Sequence, residues 1–184
     1  MRIKTVSYMA VAWMLLGTVP APAAAPQSIE AVWAARQVSF FYQGFTTHYT
    51  CGGLQEEIRG MLSKLGARDL KVHAQGCVRL VGPEPSPGVR VTMQVLVPAG
   101  SAHGRGAGPI VAAHWQNVAL LSTANGIQAQ GNCELIEQFK ETFLPLFTTR
   151  HIDYQSNCIP HQLTLGTHLS VEVLMPDAKP PRTH

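Results

Sequence analysis

Residues 51–77, CGGLQEEIRGMLSKLGARDLKVHAQGC, hold the pattern on which the fold turns: a cysteine, an amphipathic run, a glycine, an alternating run and a second cysteine. Leu54, Ile58, Met61, Leu62 and Leu65 recur at the spacing of one helical face, while Glu56, Glu57, Arg59 and Lys64 fall on the others. Gly66 supplies the stop, because glycine takes the left-handed backbone of a helix C-cap without a Cβ penalty. Leu70, Val72 and Ala74 then alternate with Lys71, His73 and Gln75, the period of a strand with one buried face.

Residues 133–158 repeat the arrangement. Cys51 and Cys77 are 26 positions apart and Cys133 and Cys158 are 25 apart; with one gap, Leu54 falls over Leu135, Glu56 over Glu137, Ile58 over Phe139 and Leu65 over Leu146. Asn132 suits the N-cap of a second helix, with Glu134 in its first turn where the helix dipole favours an anion. Leu135, Ile136, Phe139 and Phe143 form its apolar stripe, and Pro145 ends or kinks it.

Working outward, the strand at 38–50 is aromatic, β-branched and bent at Gly44, and Val89 to Val97 gives the cleanest period of two in the chain. Further strands are expected at 110–121, 150–156 and 163–174. Residues 26–37 read as a lead-in or one docked turn, 98–109 as a glycine-rich hairpin tip and 176–184 as a disordered tail. The order β-α-β-β, twice over, predicts an α+β two-layer sandwich: an antiparallel or mixed sheet with two helices on one face, in a single domain 26–175. The domain divides into pseudo-repeat halves 38–97 and 110–175, with one disulfide each. Alternation puts His73, Arg90, Thr92, Gln94, His168, Ser170 and Glu172 on the opposite, half-polar face.

Four cysteines permit three connectivities. A helix entered at Cys51 advances roughly 21 Å over about 14 residues, and the next strand returns over a comparable distance at about 3.3 Å per residue. This favours Cys51 with Cys77 and Cys133 with Cys158, although Pro145 makes the second return less direct. Without a Cys-x-x-Cys pair, the cysteines read as structural bridges rather than redox centres.

Arg2 and Lys4 precede an apolar run from Val6 to Val19 and the small residues Ala21 to Ala25, the pattern of a signal peptide over residues 1–25. Cleavage is expected after Ala23 or Ala25, with export to the periplasm or the medium and no later transmembrane segment. Losing Arg2 and Lys4 reduces fourteen basic side chains to twelve against eleven acidic ones, so the mature charge is near +1. No dense basic patch interleaved with aromatics points to nucleic acid.

The run Phe41-Tyr42-Gln43-Gly44-Phe45-Thr46-Thr47-His48-Tyr49-Thr50-Cys51-Gly52-Gly53-Leu54, with Cys133-Glu134-Leu135 and Cys158-Ile159-Pro160-His161-Gln162, resembles a family of uncharacterised exported proteobacterial proteins. That resemblance implies export. It assigns no activity, and no functional residue comes with it.

Chemistry-bearing patterns are sparse. His73, His151, Asp153 and His168 form a candidate ligand face, able to meet only across strands because neither His-x-x-x-His nor His-Glu-x-x-His occurs. His151 and Asp153 would share a strand face and so orient a base. Glu134 and Glu137 read as solvated, and Phe40, Phe41, Tyr42, Phe45 and Tyr49 as helix-layer packing, with Tyr42 or Tyr49 available to line a pocket. A nucleophile elbow and a phosphate loop are both missing. The sequence therefore predicts a non-enzymatic binding or structural module without cofactor, its partner an envelope protein or a small ligand. A metal-dependent protein using cross-strand histidines is the first alternative, and a hydrolase with an unrecognised site is the second.

Overall fold

A computed structural model describes residues 28–78, 82–101, 108–120, 133–162 and 167–177. The signal segment, residues 102–107, the Asn132 cap and residues 163–166 lie outside the described residues. In chain order the elements are β1 (Ile29–Phe41), α1 (Cys51–Lys64), β2 (Arg68–Gln75), β3 (Gly88–Pro98), β4 (Val111–Ala119), α2 (Cys133–Thr142), β5 (Thr149–Gln155) and β6 (His168–Pro176).

Thr50 caps α1, its side chain accepting from the Gly53 amide at 3.0 Å. Gly66 takes φ +80° just past the helix, with the Gly66 and Ala67 amides donating to Ser63 and Leu62 carbonyls. After α2, Pro145 sits in a 3-10 turn, Leu144–Leu146. Leu54, Ile58 and Leu62 of α1 and Leu135, Ile136 and Phe139 of α2 share one core with Val89 and Val91 of β3 and Val171 and Val173 of β6. Both helices therefore cover the same face of the sheet, and the fold is α+β.

The strands run β2-β3-β1-β4-β6-β5, every neighbour antiparallel. This order is symmetric about the β1–β4 pair. Residues 29 and 111, 31 and 113, 33 and 115, 51 and 133, and 68 and 150 are each 82 positions apart. The pairs Ile29 with Ala113 and Ala31 with Val111 are thus equivalent, and Glu30 faces its own counterpart, Ala112. A pseudo-twofold axis passes there, and each half holds one disulfide, Cys51–Cys77 or Cys133–Cys158.

Both edge strands carry an extra residue at equivalent places. Asp69 (φ 50°) breaks register between Arg68 and Lys71, and His151 (φ 48°) between Arg150 and Asp153. Asp and His are among the non-glycine residues enriched in left-handed backbone. Bulges of this kind discourage edge-to-edge pairing.

Several expectations need correction. Residues 29–37 belong to β1 and are no docked turn: Ala31 to Phe41 pair continuously with Pro98 to Gly88. Their alternation is blurred because Ala31 and Val32, on opposite faces, are both buried where the strand is central. That strand ends at Phe41, leaving Gly44 in a loop rather than a mid-strand bend. Pro176, expected in the tail, closes β6, and the Asp177 amide donates to the Ala112 carbonyl at 3.0 Å; residues 178–184 lie outside the described residues. The uncovered face is polar only on its flanks. At the axis it holds a second small core, in which Ala31, Leu96, Ala113 and Leu174 are buried beneath Ile29, Val111, Trp33 and Trp115.

Candidate ligand-binding face

The strand registers place an aromatic–guanidinium stack on each side of the axis of the uncovered face. Arg68 on β2 lies over the indole of Trp33 on β1, Cζ 5.4 Å from the centroid, and Arg150 on β5 lies 4.4 Å over Trp115 on β4. The two stacks are repeat equivalents. Each arginine also has a direct cross-strand neighbour, Gln94 for Arg68 and Glu172 for Arg150.

That one exchange makes the halves electrostatically different. Glu172 Oε2 accepts from Arg150 Nε at 2.5 Å and lies 3.1 Å from His151 Nδ1. The Arg150 hydrogen bond, against some desolvation and with help from His151, holds the Glu172 carboxyl below its usual range. Arg68 makes no ion pair among the described residues. Beside it a cavity of about 400 Å³ is lined by Trp33, Arg68, Asp69, Gln94 and Pro109. A second of about 350 Å³ continues along Gln37, Lys71 and Thr92, with Asp69 and Gln94 common to both.

The four sequence-predicted ligand residues share this face but not one place. His168 Nε2 lies 3.5 Å from Asp153 Oδ2, while His151 turns to Glu172 rather than to Asp153. The bulge at His151 separates the two residues that strict alternation would pair. His73 stands opposite Arg90 on β2, at the far edge of the sheet, five strand spacings or about 24 Å from β5. Among the described residues no group of three or more His, Cys, Asp or Glu side chains is placed to hold a metal ion. All four cysteines are in disulfides.

The aromatic run after β1 serves a different purpose. Glu134, in the first turn of α2, is 6% exposed rather than solvated. Its carboxylate accepts from the amides of Phe45 (2.9 Å) and Thr46 (3.0 Å) and from the hydroxyls of Thr46 (3.1 Å) and Tyr42 (3.2 Å). Burial opposes ionisation, but the Thr46 and Phe45 amides, followed by the two hydroxyls, outweigh it and hold the carboxyl below the ordinary range. Tyr42 is pushed far up by burial and by the Glu134 charge. It is a hydrogen-bond donor in the core rather than a pocket wall, with Tyr49 packed edge-on 5.0 Å away. Glu137 is engaged too, accepting from Tyr154 at 3.0 Å and Ser156 at 2.7 Å. Phe41 and Phe45, expected in the helix layer, are 49% and 62% exposed.

Gly44 belongs to this clamp by necessity. A Cβ there would sit inside the Tyr42 ring and hydroxyl and 2.7 Å from Glu134 Oε2. Gly44→Ala should therefore cost about 2 kcal/mol or more, the usual scale of forced overpacking. Denaturant midpoints check this, and an unchanged midpoint contradicts the clamp geometry.

Sequence reasoning missed Glu134, Trp33 and Trp115. The repeat spacing was the available signal: carried beyond the cysteines, it sets Trp33 over Trp115 and Arg68 over Arg150. No family model, curated protein or solved structure matches the chain.

Proposed function

We propose that the chain is an exported cell-envelope protein that binds a ligand, without catalysis, through the uncovered face of its sheet. The observation that carries this reading is the pair of tryptophan–arginine stacks flanking the twofold axis. A sheet face that keeps indoles and guanidiniums half-open to water is built for contact, because aromatic and arginine side chains supply most of the energy in recognition surfaces. Exposed Lys71, His73 and Arg90 extend its basic character on the β2–β3 side, which suits an anionic ligand. Two disulfides accord with an oxidising compartment, and no described helix is long and apolar enough to cross a membrane. The N-terminal segment and the exported-family resemblance agree with that placement.

Two measurements test the reading. N-terminal sequencing of protein from a periplasmic or culture fraction should begin at Ala24 or Pro26; an intact Met1 there contradicts export. Mature protein should co-sediment with washed cell envelopes, and the Lys71→Glu/Arg90→Glu variant, altered at two exposed positions, should stay in the supernatant. Equal retention of both proteins, or retention of neither, rejects the binding face.

A further inference from the structure

The two halves of the molecule hold the same tryptophan–arginine stack beside different cross-strand neighbours. In the second half Arg150 lies over Trp115 with the carboxylate of its cross-strand neighbour Glu172 on Nε. In the first half Arg68 lies over Trp33, and the cross-strand neighbour is the neutral amide Gln94. We infer that Arg68, Trp33 and Gln94 form an open receptor for the carboxylate of a small sugar acid, and that Glu172 fills the twin site from within. The inference rests on the binding function proposed above and names its ligand.

The chemistry follows from the stack. A guanidinium lying on an indole keeps its face covered and its edge N–H groups pointing outward, a fork that fits a carboxylate bidentately. The Arg150–Glu172 pair shows a carboxylate on one such edge N–H, the Nε, within the same chain. Arg68 borders the cavity of about 400 Å³, which shares Asp69 and Gln94 with the neighbouring one of about 350 Å³; both are near the lower end of small-molecule sites. Their walls include the amides of Gln37 and Gln94, the Thr92 hydroxyl and the cations Lys71 and Arg36, with the Trp33 indole as the aromatic member. Such a lining supplies donors and acceptors for ring hydroxyls and two cations besides Arg68. The one acid in it, Asp69, is an acceptor for those hydroxyls.

Calorimetric titration of the mature protein with a short galacturonate oligomer tests the assignment, with its methyl ester as the neutral control. One carboxylate-dependent site per chain is expected, with the ester at least about tenfold weaker, as loss of a charge-assisted fork implies. Gln94→Glu should abolish binding while preserving the fold, because it installs the internal plug already tolerated at Glu172. Glu172→Gln should raise the stoichiometry to two. Arg68→Met should behave like Gln94→Glu. Binding of the ester as tightly as the acid, or indifference to Gln94→Glu, overturns the receptor. A glutamate-rich peptide that binds through Arg68 when the galacturonate does not overturns the sugar-acid assignment. If no carboxylate binds while envelope retention still depends on Lys71 and Arg90, this inference fails alone; if retention is also absent, the binding function fails with it.

Discussion

Glu134→Ala is expected to destabilise the fold by about 3 kcal/mol, and Glu134→Gln by roughly half of that, on the scale of lost hydrogen bonds to a buried charged group. One carboxylate gathers two backbone amides and two hydroxyls of the loop that links β1 to α1. Alanine strips all four donors at once. Tyr42 retains the Thr47 carbonyl at 3.0 Å, but the Phe45 and Thr46 amides have no other partner shown and must seek water. Glutamine keeps one acceptor oxygen and loses the charge, the favourable helix-dipole contact and part of the network.

The same group makes stability pH-dependent. Its carboxyl is depressed in the folded protein, so its contribution is complete above the unfolded value near about 4.3 and disappears as pH falls through the lower folded value. Wild type should therefore lose stability on acidification below about pH 4, and Glu134→Gln should lose less over the same interval. Urea melts at pH 7 and pH 3 measure both effects. A Glu134→Ala midpoint equal to wild type at pH 7, or identical acid sensitivity in the glutamine variant, contradicts the clamp.

What the sequence disclosed and what it hid divide along one physical line. The helix α1, its stop at Gly66 and the strand β3 were legible because each buries one face, and one-sided burial writes a local period. The first half of β1 was not, since Ala31 and Val32 are both buried beside the axis. The clamp was hidden because its partners lie 88 to 92 positions from Glu134 in sequence, with no period to connect them. A glutamate in a first helical turn looks the same whether it faces solvent or a ring of amides. Likewise, alternation assigned His73 and His168 to one face correctly by register but said nothing of strand order, which put four strands between β2 and β5. The repeat was legible from the cysteines. Its functional content, a glutamine in one half where the other has a glutamate, emerged only once the cross-strand neighbours were known.

Removing either disulfide should be costly, and removing Cys133–Cys158 more so. Each closes a loop of 26 or 25 positions, which the chain-entropy treatment values at about 3.5 kcal/mol. For a chain of this size that corresponds to a fall in melting temperature of about 10 °C. The two bridges differ in surroundings. Cys77 is exposed, so Cys51→Ser should cost little beyond the entropy, leaving Cys77 as a titratable thiol and the other bridge intact. Cys133 is 2% exposed at the head of α2, where a serine hydroxyl replacing it adds roughly 1–2 kcal/mol of polar burial. Cys133 also precedes Glu134, and Cys158 follows the Ser156 that donates to Glu137 and caps the Cys158 amide at 3.1 Å. The bridge thus fixes the helix turn that presents the clamp. Losing both should be less than additive, because a displaced α2 has already surrendered the Glu134 hydrogen bonds. A double-mutant cycle between Cys133→Ser/Cys158→Ser and Glu134→Ala reads this coupling. Non-reducing peptide mapping should link Cys51 only to Cys77; a Cys51–Cys133 or Cys51–Cys158 linkage, or equal losses for the two bridges with full additivity, contradicts this placement of α2.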